Sequence, residues 1–171
     1  MGLTYTVEFD DAAVTGALDR LAALGVAPEG LLTILGDYGR DSTRRRWLTQ
    51  SAPDGTPWAG LSAGYALLKP ANKGILYLSG ALENSQTYLV GINAVSWGSR
   101  MPYAAVHQFG ATIKPKTAKA LVFRLGVGGM HEVFAQSVTI PARPYLGISA
   151  EDALEIPELA RDYMQRVLLG G

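Results

Sequence analysis

The chain contains no cysteine. That excludes disulfides, thiolate catalysis and cysteine-ligated zinc, and it fits a reducing cytoplasm. Histidine is nearly absent as well. His107 and His131 are the only two, and neither has a second ligand at H-x-x-H or H-x-x-x-H spacing, so no zinc site is expected. Charge is sparse and balanced. Asp, Glu, Lys and Arg make up 18% of the chain, fifteen of each sign, against roughly 25% in typical soluble domains. A net charge of zero removes the field that would draw a general nucleic-acid binder to its target. No stretch approaches the roughly 18–20 apolar residues of a membrane span. The first residues lack the basic and apolar regions of a secretory signal, and acidic residues arrive by Glu8 and Asp10.

What is present suffices for a core: 48% of the 171 residues are hydrophobic. The length predicts one domain spanning residues 1–171. Twenty glycines predict many tight turns. Apolar content with so little charge also implies that a partner covers some of the surface.

Leu3 to Phe9 alternates like a first strand. Asp10 or Asp11 can cap a helix carrying Val14, Leu18, Leu21 and Leu24, which Gly25 would stop. A second helix is predicted from Pro28-Glu29 to about Trp47. Gly36 and Gly39 weaken its middle or permit close packing. Pro53-Asp54-Gly55 is a turn, and Trp58 after it is expected to anchor the loop to the core. Ser62 to Lys69 reads as a short helix, and Gly74 to Leu82 as an extended lead into another through Ser85. Thr87–Asn93 and Val95–Ser99 read as paired strands. Pro102 opens a short helix over Tyr103–Phe109, closed by Gly110. Ala120–Leu125 and His131–Ile140 form a second hairpin around Gly126-Val127-Gly128-Gly129. Ser149 can cap a final helix with Asp152 in a weak capping-box position, and Pro157 is expected to start a fresh segment. The expected fold is α+β. N-terminal helices and a C-terminal helix pack on a mostly antiparallel sheet built from residues 3–9, 86–99 and 119–140, with a protruding Gly-rich β-hairpin.

Candidate chemistry is thin. Ser79-Gly80 lacks the Gly-x-Ser-x-Gly elbow of a hydrolase. His107 reads as a packed, hydrogen-bonded histidine; the sharper reading makes it the base of a small hydrolase with an unseen carboxylate. Asp10-Asp11 and Glu151-Asp152 sit at expected helix starts, where anions are stabilising. The glycine tip is not followed by Lys-Ser or Lys-Thr and is no phosphate loop. Arg44-Arg45-Arg46 reads as a solvated last helical turn, or alternatively as a contact for an acidic partner or passing DNA. Arg143, between Ala142 and Pro144, is expected to tie down backbone carbonyls or a carboxylate, across a subunit boundary in one version.

Four segments occur in order. They are Ser51-Ala52-Pro53-Asp54-Gly55-Thr56-Pro57-Trp58-Ala59-Gly60-Leu61 with Lys69 after it; Leu76-Tyr77-Leu78-Ser79-Gly80-Ala81-Leu82-Glu83-Asn84-Ser85; Gly98-Ser99 followed by Tyr103-Ala104-Ala105-Val106-His107-Gln108-Phe109-Gly110; and Ile140-Pro141-Ala142-Arg143-Pro144-Tyr145-Leu146-Gly147-Ile148-Ser149. Together they resemble the phage virion morphogenesis family, the tail completion proteins of Mu-like and related contractile-tailed phages. The resemblance covers most of the chain.

It implies a non-enzymatic assembly protein of the virion neck or tail end, present in the host cytoplasm during assembly. No catalytic residue, cofactor, metal, membrane or small-molecule substrate is implied. The partners implied are other copies of the chain in a homo-oligomeric ring, expected to be a hexamer, together with tail-tube or terminator and head-connector proteins. DNA would at most pass through the lumen. Pro53, Asp54, Gly55, Trp58, Ser79, Gly80, Leu82, Tyr103, Ala104, His107, Phe109, Gly110, Pro141, Arg143, Pro144, Tyr145 and Leu146 are then expected to define the fold. Arg44, Arg45, Arg46, Val127, Gly128 and Gly129 are the candidate interface residues. The competing readings are the His107 hydrolase and a nucleic-acid-binding adaptor.

Overall fold

Asp11 caps the first helix: its Oδ1 accepts from the amides of Ala13 at 2.8 Å and Val14 at 3.2 Å. The computed structural model describes residues 11–125, 129 and 131–169. The strand expected at residues 3–9 and the tip residues Gly126, Val127 and Gly128 lie outside the described residues.

Helix α1 (Ala12–Ala23) ends where Gly25 adopts φ +67°. Helix α2 (Glu29–Thr49) runs through both glycines without interruption. The reason lies in its neighbours. A Cβ on Gly36 would stand 2.5 Å from the Tyr88 ring, and one on Gly39 2.5 Å from the Trp97 indole. The helix loses some intrinsic propensity at each glycine and gains close contact with the strands beneath. Two short helices follow, α3 (Ala63–Leu68) and α4 (Ala81–Asn84), with Ser62 capping α3.

Strands β1 (Gln86–Val90) and β2 (Val95–Ser99) pair antiparallel, with Tyr88 opposite Trp97. Their turn closes through the Gly91 amide on the Ala94 carbonyl at 2.7 Å, so β1 stops three residues short of the expected Asn93. Helix α5 (Ala104–Phe109) follows and ends at Gly110, φ +73°. A Cβ at Gly110 would lie 2.8 Å from the Ala142 amide, so this position suits glycine on both conformation and space.

The remaining strands pair less simply than expected. Strand β3 (Ala111–Ile113) pairs with β6 (Val138–Ile140), and β4 (Leu121–Leu125) with β5 (His131–Ala135). The single run expected over His131–Ile140 breaks at Gln136–Ser137 and changes partner there. The fold is α+β, but its described strands form three separate two-stranded antiparallel sheets and not one continuous sheet. Alternation marks a strand and its faces; it does not choose the partner.

Helix α6 (Ala150–Leu169) opens with a reciprocal cap. The Asp152 amide donates to Ser149 Oγ at 3.1 Å, and the Ser149 amide donates to Asp152 Oδ2 at 2.8 Å. It does not restart at Pro157, as the sequence had suggested, but runs straight through it. A proline inside a helix costs about 3 kcal/mol. Here Ile156, Pro157, Ala160 and Met164 are all buried, so packing on both sides of the proline holds the helix together.

Two cores result. The first joins α1, α2 and α6 through Leu21, Leu31, Leu35, Ile156, Ala160 and Met164. The second is aromatic and holds Trp47, Ala52, Trp58, Leu82, Ala104 and Tyr145. Helix α2 supplies residues to both, its first half to one and Trp47 to the other.

Candidate functional site

The segment Arg143–Gly147 belongs to no helix or strand, so its backbone polar groups need other partners. Side chains from three distant parts of the chain supply most of them. The Trp58 indole donates to the Pro144 carbonyl at 2.7 Å. Gln108 Oε1 accepts from the amides of Tyr145 and Leu146, both at 3.0 Å, while its Nε2 donates to the Leu146 carbonyl at 3.0 Å. Arg46 donates to the Tyr145 carbonyl at 2.6 Å and the Gly147 carbonyl at 3.0 Å. The Arg143 amide donates to the His107 carbonyl at 2.7 Å.

The side chains of the same segment reach outward and bind in turn. Arg143 Nε and Nη2 donate to the carbonyls of Ala59 and Gly60 at 2.6 and 2.8 Å. It ties down carbonyls of its own chain. Tyr145 is fully buried among Trp47, Trp58 and Ala104. Its ring centroid lies 5.2 Å from Trp47, and Trp47 meets Trp58 edge-on at 5.6 Å. Burial pushes the Tyr145 phenol up to about 12.

The four separated segments therefore meet at one place. Trp58, Leu82, Ala104 and Tyr145 are in contact in the aromatic core. Asp54 Oδ1 accepts from the Thr56 amide at 2.9 Å and Gly55 takes φ +83°, which forms the expected turn. Pro53 lies against Gly147, where an added Cβ would come within 2.7 Å of its ring. Ser79 Oγ accepts from the Ala81 amide at 3.3 Å, and Gly80, φ +79°, precedes α4. Tyr103, Phe109 and Pro141 are exposed and stand outside the core. The candidate interface residue Gly129 has φ +70° beside Arg124.

The Arg44–Arg46 cluster divides. Arg44 and Arg45 are exposed, and the Arg45 guanidinium lies 5.5 Å from the Tyr38 ring centre. Arg46 is not part of a solvated last turn. It is buried and pairs with Asp152 at 2.8 Å. A helix that packs on two sides carries one arginine in three inward, which a charge run alone does not reveal. Burial draws the Arg46 guanidinium down and the Asp152 charge opposes this.

A cleft of about 360 Å³ lies beside Arg143, between α3, residues 76–82 and α5. Tyr65, Lys69, Tyr77, Tyr103, His107 and Arg143 line it. His107 is partly buried and its ring meets Tyr103 edge-on at 5.8 Å. Burial and then the Arg143 charge lower the His107 imidazole, which favours the neutral ring. Its Nδ1 is buried with no hydrogen-bond partner among the described residues. Ser79 also lines the cleft, and among the described residues no Asp or Glu does. Among the described residues no three His, Asp or Glu side chains gather to hold a metal, and no helix is long and apolar enough to cross a membrane.

Sequence reasoning missed Gln108, Asp152 as a buried partner, and the inward side of Arg46. Gln108 had a signal: an amide can both donate and accept, and a Pro-punctuated segment without regular structure needs both. Arg46 and Asp152 had none, since 106 residues separate them.

The model of the phage virion morphogenesis family matches residues 9–165. The chain belongs to that family. None of the curated proteins and none of the solved structures matches it.

Proposed function

We propose that this member of the phage virion morphogenesis family completes the tail at its head-proximal end and supports head–tail joining, working as a hexameric ring. Membership makes it a virion-associated assembly protein. The finer reading is carried by one observation, the β4–β5 hairpin. Its two strands pair with each other, and no other described element packs extensively on them. A lone two-stranded hairpin is marginal in water. This one also exposes an apolar cross-strand pair, Val122 at 57% and Phe134 at 66%. Such an arm suits burial against a neighbour, and a ring subunit needs two unlike patches that meet around a closed rotation.

Arg44 and Arg45, exposed on α2, are the residues available to face DNA in a lumen or an acidic neighbour. Arg46 is excluded from that role by its buried pair. Tail-tube or terminator and head-connector proteins are the partners on either side of the ring.

The test is electron microscopy of lysates from a phage that carries this gene and from the same phage with the gene deleted. DNA-filled heads beside unattached tails are expected from the deletion. Normal joined particles would overturn the role and return attention to the cleft around His107.

A further inference from the structure

Among the described residues, the cleft carries positive charge without a counter-ion. Arg143 is only 6% exposed, yet its guanidinium meets two carbonyls and no carboxylate. Lys69 donates to the Gly74 carbonyl at 2.7 Å and likewise has no ion-pair partner among the described residues. Buried or half-buried cations are usually paired. Burial and then the Arg143 charge push the Lys69 ammonium down, which is what an uncompensated pair of cations does. Apart from Ser79 and His107, the other walls are apolar or aromatic. Leu78 lines the cleft and is 57% exposed. This combination suits an apolar side chain flanked by carboxylates.

The same chain displays such a group elsewhere. Helix α6 turns Ile156, Ala160 and Met164 into the first core. Its outer face presents Leu154, 73% exposed, between Glu151, Glu155 and Glu158, all exposed. Those positions are three and four residues apart and so lie on one face. Glu158 pairs with Arg161, whereas Glu151 and Glu155 make no ion pair among the described residues.

We propose that the cleft receives this acidic, leucine-bearing face of α6 from a second copy of the chain. Leu154 would lie against the tyrosines and Leu78, and the Glu151 and Glu155 carboxylates would neutralise Lys69 and Arg143. The contact presupposes the ring proposed above and supplies it with two unlike, charge-complementary patches.

The cysteine-free sequence makes the test direct. Leu78→Cys protein is mixed with Leu154→Cys protein and mildly oxidised, and the heterodisulfide is quantified on a gel. Sedimentation of the unmodified protein is run beside it. A heterodisulfide severalfold above statistical coupling is expected, and it should be lost when Glu151 and Glu155 of the Leu154→Cys chain are changed to Lys. Statistical coupling in a protein that sediments as an oligomer would overturn this contact and leave the ring standing. Statistical coupling in a protein that sediments as a monomer would overturn both. A heterodisulfide that survives the charge reversal would overturn recognition through the two carboxylates.

Discussion

Arg46 and Asp152 form a buried ion pair at 2.8 Å that ties α2 to the start of α6. Asp152 also accepts from Ser42 Oγ at 2.5 Å and the Tyr38 hydroxyl at 3.0 Å, besides the Ser149 amide that completes its helix cap. Arg46 spends its other donors on the Tyr145 and Gly147 carbonyls. One pair therefore connects the helical core to the segment that organises the aromatic core.

Asp152→Asn should lower stability at pH 7 by about 3–5 kcal/mol, because it leaves the Arg46 charge buried and uncompensated. Burial alone would raise the Asp152 carboxyl, but hydrogen bonds from Ser42, Ser149 and Tyr38 outweigh it and hold the group below its usual range. A depressed carboxyl stabilises the fold above the unfolded value of about 3.9. That contribution is lost as pH falls through the folded value. Urea unfolding of both proteins from pH 7 down to pH 3 should show a gap that is widest at neutral pH and begins to narrow below about pH 3.9. A gap that widens in acid would contradict the assignment.

Gly36→Ala and Gly39→Ala should each destabilise the protein by about 1–3 kcal/mol, the usual range for forcing an extra methyl into a packed site. Helix propensity alone gives the opposite sign, a gain of about 1 kcal/mol. The contacts of these glycines with Tyr88 and Trp97 decide which wins. Thermal unfolding midpoints read the sign directly; a rise in either variant would show that the rings move aside.

Gln108→Leu removes the acceptor of two backbone amides and the donor to a carbonyl. Each buried group left unsatisfied costs about 1–3 kcal/mol, so the loss should exceed that of Trp58→Phe. The latter removes one indole donor and leaves one carbonyl, that of Pro144, unsatisfied, against three backbone groups for Gln108→Leu. Equilibrium denaturation of the two variants side by side ranks them, and a Gln108→Leu protein as stable as Trp58→Phe would refute the role of Gln108 in holding Tyr145 and Leu146.

Val122→Asp combined with Phe134→Ser should leave the unfolding free energy within about 1 kcal/mol of wild type, about 0.5 kcal/mol for each exposed substitution, while reducing oligomer formation. Both side chains are exposed and the hairpin stands apart from the two cores. Light scattering across a concentration series separates the two effects. Unchanged assembly would remove the hairpin as a ring contact.

Much of the local structure was legible. Asp11 and Ser149 cap the helices their positions announced, Ser62 caps α3, and Gly25 and Gly110 take the positive φ that ends α1 and α5. These features depend on residues within a turn of each other, which a sequence records. Pro157 misled because its local penalty is outweighed by burial on both sides, and burial is not local.

Sequence alone settled most of the elements with their caps and turns, though not β3 or the division of β5 from β6, as well as the α+β class and the family through four ordered segments. The tertiary structure decided which strands pair, that Arg46 turns inward while Arg44 and Arg45 do not, and that Gln108 reads the backbone of Tyr145 and Leu146. The physical reason is range. Capping and turn geometry act over three or four residues, whereas the Arg46–Asp152 pair and the Gln108 and Tyr38 side-chain hydrogen bonds join groups 37 to 114 residues apart. Only the folded chain brings those groups within hydrogen-bond distance.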